Sequence, residues 1–264
     1  MDAKDSAARI RELAAALGGL STYQLEWLEG VVNQFNLKPD LWREPKSELV
    51  TDCVSEMFGD ALQIHHCFSR EPLSKDRFEY AFERVLNHCG IPAQLASRGN
   101  PGHDITIAGE RFSLKTQADR SIKEDFLHIS KFMELGKGKW NKAEKDLVGL
   151  RDQFFKHMNG YDRILQLRRI TDTATLQKYE LVEIPKDLLL KAKDGTLRMM
   201  HGSAQRPKPG TCTVAAKDRR LFELYFDGGT ERKLQIRYLD KRDCRVHASW
   251  GIKRIPATIV EKTT

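Results

Sequence analysis

Apolar positions recur every three to four residues through roughly the first ninety residues of the chain, and alternation with polar positions takes over afterwards. The first pattern predicts helices near 5–17, 22–35, 46–58 and 74–89. The second of these starts behind Ser21 and carries Leu25, Trp27, Leu28, Val31, Val32 and Phe35. The fourth has Ser74 as N-cap and Gly90 just past its end, with Phe78, Ala81, Phe82, Val85, Leu86 and Cys89 on one stripe. After residue 100 come a β-hairpin, helices near 128–135 and 140–158, and strands at 162–170 and 178–184. In 233–238, Leu234, Ile236 and Tyr238 face one way and Lys233, Gln235 and Arg237 the other; 244–250 repeats the scheme with Arg245, His247 and Ser249 exposed. A loop at 202–210, rich in proline and glycine, opposes both helix and central strand. No linker marks two domains, so the chain reads as one mixed α/β domain over 1–264.

The hairpin at 101–115 is the most informative segment. A type II′ turn at Gly109-Glu110 puts Asp104 directly opposite Lys115, with Cβ atoms roughly 4.5–5.5 Å apart. Ile105, Ile107, Phe112 and Leu114 then share one face, and Asp104, Thr106, Ser113 and Lys115 the other. Two readings of the polar face stand side by side. One is a salt bridge on a solvated sheet, worth ~0–1 kcal/mol. The other is a metal-dependent nuclease centre, in which the aspartate holds a divalent ion and the lysine polarises water or a phosphate.

Composition narrows the class. The 264 residues are 40% hydrophobic and 31% charged, and 44 basic against 37 acidic side chains leave +7. That balance fits a soluble protein with a polyanionic partner and is shared by many proteins without one. The N-terminal segment lacks a secretion pattern, and no apolar run reaches ~18 residues, so a cytoplasmic location is expected. The five cysteines (Cys53, Cys67, Cys89, Cys212, Cys244) show no C-x-x-C spacing and read as reduced thiols. Adjacent ligands in His65-His66-Cys67, without a second cluster, are weak grounds for zinc.

Pro101, Asp104 and the Ser113-Leu114-Lys115 triplet resemble the PD-(D/E)xK signature of the restriction-endonuclease-like superfamily. Four blocks in order, at 100–107, 128–138, 182–186 and 226–236, are similar to the SmaI type of type II restriction endonucleases. The resemblance implies an αβββαβ core over 74–200, a helical N-terminal region over 1–70, and a strand-rich, DNA-reading part over 201–255. It also implies a Mg²⁺-dependent endonuclease, acting as a homodimer on double-stranded DNA at a short palindromic, GC-rich site. Two departures stand out. Gly102 and His103 separate Pro101 from Asp104, and Ser113 stands where the signature has Asp or Glu. A serine supplies no negative oxygen to a metal, so a second carboxylate has to come from a helix.

Two helices offer one. By resemblance, Glu79 occupies the place of the superfamily's first-helix glutamate, and Glu134 lies in the helix expected at 128–135; as residues alone, both read equally as surface acids. The expected assignment is therefore Asp104, Lys115 and Glu79 as catalytic residues, with Asp104, Glu79 and Glu134 as metal ligands. Lys233, Gln235, Arg237 and Arg245 are the candidate DNA contacts, since arginine suits guanine and glutamine suits adenine edges; an ordinary wet strand face explains the same pattern. A nuclease that cuts by DNA structure and a non-catalytic DNA-binding module remain open beside the restriction enzyme, the latter because of Ser113.

Overall fold

The computed structural model describes residues 3–97, 99, 102–118, 122–136, 140 and 144–254. Pro101 of the hairpin motif lies outside the described residues, as do residue 100 and residues 137–138 of the blocks named above.

Four helices open the chain: α1 (Ala3–Leu17), α2 (Thr22–Asn36), α3 (Asp52–Phe68) and α4 (Lys75–His88), with strand β1 (Asp40–Arg43) between α2 and α3. Their starts are set by hydroxyl caps. Ser21 forms a capping box with Gln24, and Ser74 accepts from the Arg77 amide at 3.4 Å. Helix α3 begins later than the periodicity predicts because Thr51 is its cap, accepting from Val54 N at 3.3 Å.

Among the described residues twelve strands form two sheets. The first has the order β1-β12-β7-β6-β4-β3-β2, built from β2 (Ala93–Leu95), β3 (Ile105–Ile107), β4 (Glu110–Gln117), β6 (Arg163–Asp172), β7 (Leu176–Glu183), β12 (Arg245–Lys253) and β1. Strands β4 and β6 are parallel, joined across helix α5 (Glu144–Met158), and the remaining neighbours are antiparallel. The succession α4, β2, β3, β4, α5, β6 is thus the αβββαβ order. Strand β5 (Phe126–Glu134) leaves this sheet to begin a second, antiparallel one, β5-β11-β10-β9-β8, with β8 (Thr196–Met199), β9 (Gly210–Ala216), β10 (Arg219–Phe226) and β11 (Lys233–Asp240).

Both faces of the first sheet are covered, and its central strands carry buried side chains on both sides. On β6, Leu165 and Leu167 join a core with Phe58 of α3, Phe78 and Phe82 of α4, Phe112 and Trp250. Ile164, one residue away, joins the other core, with Phe132, Phe154 of α5 and Phe222 and Leu234 of the second sheet. Each buried phenylalanine contributes roughly 1.5–3 kcal/mol.

Three expectations fail here. Residues 128–135 form most of β5 rather than a helix. Register shifts against β11 break its alternation, so that Ile129, Phe132 and Leu135 fall three apart and imitate a helical stripe. Strands β11 and β12 belong to different sheets, so they do not repeat one wet face; His247 is fully buried, bonded to Ser47 Oγ and Glu183 Oε2 at 2.8 Å each. On β11 the alternation stops at Tyr238, which has φ 56°, stands exposed, and leaves the inward place to Leu239. Finally, Cys53 and Cys89 are joined in a disulfide across α3 and the end of α4, with Cα atoms 5.8 Å apart, so these two are not free thiols. A separation of 36 residues between two helices carries no local spacing signal. Among the described residues no helix is long and apolar enough to cross a membrane.

Candidate active site

The hairpin turns one residue earlier than its glycine suggested. Ala108 (φ 48°) and Gly109 (φ 89°) are the two central residues, both left-handed, as in a type I′ turn, and Ile107 pairs with Glu110, Thr106 with Arg111 and Ile105 with Phe112. Tertiary contacts select this register: Ala108 N donates to Pro92 O at 2.8 Å, and Arg111 forms a fork with Asp162 at 2.9 and 3.1 Å. The shift moves every pairing by two residues, which preserves which side chains share a face. Ile105, Ile107, Phe112 and Leu114 are buried as expected, at 0–1% exposure. Asp104 now lies across from Ser113 instead of Lys115, which stands one pleat further along the same face.

Asp104 sits at the open end of the hairpin with each carboxylate oxygen differently engaged. Its Oδ2 accepts from the Leu114 amide at 2.6 Å and from Ser113 Oγ at 3.2 Å. Its Oδ1 faces the ammonium of Lys75, at 2.7 Å, and that same ammonium lies 3.1 Å from Glu79 Oε1 one helical turn further along α4. Glu79 points here because Phe78 and Phe82 bury the neighbouring stripe of α4, while Glu83 is committed elsewhere, accepting from Leu95 N at 2.8 Å. Two carboxylate oxygens thus converge on one positive charge. Hard oxygen donors around a cation are what a small divalent ion requires, so Asp104 and Glu79 fit such an ion; backbone carbonyls and water would complete its shell. Among the described residues no third His, Cys, Asp or Glu joins them in a ready-made metal cluster.

Lys115 is 9% exposed and lies over the Phe132 ring, 5.3 Å from its centroid. Burial pulls its pKa down to about 8, against the opposing pull of Asp104. The carboxyl of Asp104 is itself pushed up by burial, yet Lys115, Lys75 and the Leu114 amide overcome this and hold it below the ordinary range. Glu79 goes the other way: burial raises it, and Lys75 only partly compensates. The two acids are therefore driven apart in proton affinity. Behind Lys115, at the end of α5, stand His157, lowered to about 4 by burial and then by Lys115, and Tyr161, fully buried; the His157 Nε2 and the Tyr161 hydroxyl have no hydrogen-bond partner among the described residues. Gly160 lies so near Gly102 that a Cβ on it would come 2.8 Å from the Gly102 Cα, which seats the segment before Asp104 against the end of α5.

The other expected residues lie apart from this centre. Glu134 ends β5, is 69% exposed, and pairs with Lys131 at 2.7 Å. Lys233, Gln235 and Arg237 are brought together on β11: Lys233 pairs with Glu231 at 3.0 Å, Arg237 lies 3.5 Å from the centroid of the Tyr225 ring, and Gln235 receives the Arg237 Nε while donating to Asp227. Arg245 belongs to β12 in the other sheet, where it meets Glu48 at 2.9 Å. Sequence reasoning missed Lys75. Its four-residue spacing from Glu79 was visible, but only the fold shows that Asp104 joins the pair.

The SmaI family model, a type II site-specific deoxyribonuclease, matches residues 13–252. The type II restriction enzyme SmaI of Serratia marcescens is 44% identical over 211 residues, which cover 79% of this chain and 83% of that enzyme. The chain belongs to the SmaI family of type II site-specific deoxyribonucleases. It is a restriction endonuclease, a hydrolase, and the resemblance read from the four sequence blocks is sustained over most of its length. No solved structure matches this SmaI-family chain.

Proposed function

We propose that this enzyme uses Mg²⁺ to hydrolyse both strands of duplex DNA at a short palindromic, GC-rich site, and that it does so as a homodimer. The convergence of Asp104, Glu79 and Lys115 at the open end of the hairpin is the observation that carries the reading. In it, Asp104 and Glu79 would hold the ion, while Ser113 and the Leu114 amide fix the aspartate through its Oδ2. When bound, the ion supplies positive charge to the scissile phosphate and makes water more acidic. Lys115 orients the attacking water, and its lowered pKa lets its neutral form accept the water's proton near neutral pH. Phe132 closes one side of Lys115 and limits competing solvent.

A palindrome has a twofold axis, which calls for two copies with one centre per strand. Helix α2 supports this: Tyr23, Trp27, Leu28, Val32 and Phe35 all stand 40–74% exposed, and Trp27 stacks on Phe68 at 5.2 Å. An apolar surface of this kind suits an isologous interface. For DNA, Lys233 and Arg237 lie on β11, and the turn before that strand helps line a groove with Gln205, Arg206, Gly228 and Arg232 beside Glu134 and Glu231; its arginines match the guanine edges of a GC-rich site.

Plasmid DNA incubated with Mg²⁺, followed by sequencing of fragment ends, tests the whole reading. Discrete fragments sharing one sequence at every end, lost on adding EDTA, are expected. A ladder with unrelated ends would assign the enzyme to structure-directed cutting, and unchanged cutting in EDTA would remove the metal.

A further inference from the structure

The cation already present between the two acids is the ammonium of Lys75, 2.7 Å from Asp104 and 3.1 Å from Glu79. We infer that Lys75 is a resident placeholder for the divalent ion: it neutralises Asp104 and Glu79 while the metal is absent and must be displaced for the metal to enter. The inference rests on the metal reading given above. Three observations carry it. The oxygens engaged by Lys75 are Asp104 Oδ1 and Glu79 Oε1, whereas Oδ2 of Asp104 is bound by Ser113 and Leu114 and is not contested. Lys75 is the first residue of α4, on a side chain 41% exposed, so it has a route into solvent that Lys115, buried on β4, lacks. Lastly, without Lys75 two carboxylates would face each other with Lys115 as the remaining cation, a like-charge arrangement that disfavours the metal-free state.

Lys75 thereby sets the ion's affinity without being a catalytic residue. A placeholder competes with the ion, so removing it tightens ion binding, whereas a lysine that assists the ion loosens it when removed. Released, the ammonium stands at the mouth of the site, free to meet a DNA phosphate.

The test compares wild type, Lys75→Met and Asp104→Asn without DNA, titrated with Mn²⁺ and read by the electron paramagnetic resonance of free Mn²⁺. Lys75→Met should bind Mn²⁺ about fivefold more tightly, given the strength of partly exposed ion pairs. Unchanged or weaker binding in Lys75→Met, with binding lost in Asp104→Asn, overturns the placeholder and leaves the metal reading intact. Undiminished binding in Asp104→Asn overturns both. A second measurement needs no variant: acylation of Lys75 in the wild-type protein, followed by peptide mass spectrometry and normalised to Lys131, should rise severalfold on saturation with Mn²⁺. Labelling of Lys75 that does not respond to Mn²⁺ refutes displacement.

Discussion

The two sheets differ in the polar groups they bury, the second holding only Gln235 and Asp240 below 9% exposure among the described residues of its strands. The first buries more: Lys115, Gln166, Arg168, Gln177, Glu180 and His247 all lie within its strands at 0–9% exposure. The second keeps an apolar inner face, with Phe222, Leu224, Leu234 and Ile236, and carries its arginines outside, stacked on tyrosines: Arg220 over Tyr238 at 3.7 Å and Arg237 over Tyr225 at 3.5 Å. A buried charge is tolerated only when its partners are supplied, and the first sheet supplies them. Arg168, wholly buried, forms an ion pair with Glu180 and donates to Lys123 O and Phe126 O at 2.9 Å each, pinning the start of β5. The difference teaches where chemistry is possible. Burial is what lowers the pKa of the Lys115 amine, against the pull of Asp104, while a solvated arginine face is suited to contact with a polyanion.

The contrast can be attacked in order of expected size. Lys115→Ala should slow cleavage by about 10⁴-fold, near 5 kcal/mol, while sequence-specific binding persists in EDTA; full activity would take Lys115 out of the reaction. Arg168→Met removes the wholly buried partner of Glu180, leaving it only Lys241 at 3.4 Å, and should lower stability by about 3 kcal/mol in urea titration, against which a loss below about 1 kcal/mol would mean the first sheet's polar network is incidental. Side by side, Glu79→Gln should cost about 100-fold in rate, near 3 kcal/mol, and Glu134→Gln, on the second sheet, should cost nothing measurable. Equal losses in the two would place the second acid where the fold does not bring it to Asp104.

The smallest effect concerns pH. Burial opposes ionisation of Glu183, yet hydrogen bonds from Arg163 and His247 hold its pKa at about 2. A carboxyl depressed in the folded state stabilises fully above its unfolded value, near 4.3, and that contribution fades as pH falls through 2. The unfolding free energy from urea titrations should therefore fall by about 2 kcal/mol more between about pH 5 and 2 in wild type than in Glu183→Gln. Parallel pH curves would contradict the assignment.

How much of this was legible in the sequence depends on what sets each feature. The faces of the hairpin were readable because alternation is a strict period of two, and an error of two residues in pairing leaves it untouched. The turn itself was not, because one glycine serves two registers and distant Pro92 and Asp162 decide between them. Helices α2 and α4 announced themselves through serine caps. Strand β5 did not, since its bulges against β11 convert an alternating pattern into a threefold one. Of the site, Asp104, Lys115 and Glu79 could be named from motif and stripe, while Lys75 required knowledge of which helix end meets which strand end. The split of β11 and β12 between sheets is likewise a matter of long-range pairing, invisible to local periodicity.

The contact between Gly160 and Gly102 carries a consequence for how the carboxylate of Asp104 keeps its position. Two residues before the aspartate, the backbone is seated against a helix terminus at a spot with no room for a single methyl group. An alanine at 160 would act as a wedge between the helix end and the strand entrance, so the reactive geometry depends on a side chain that Gly160 lacks.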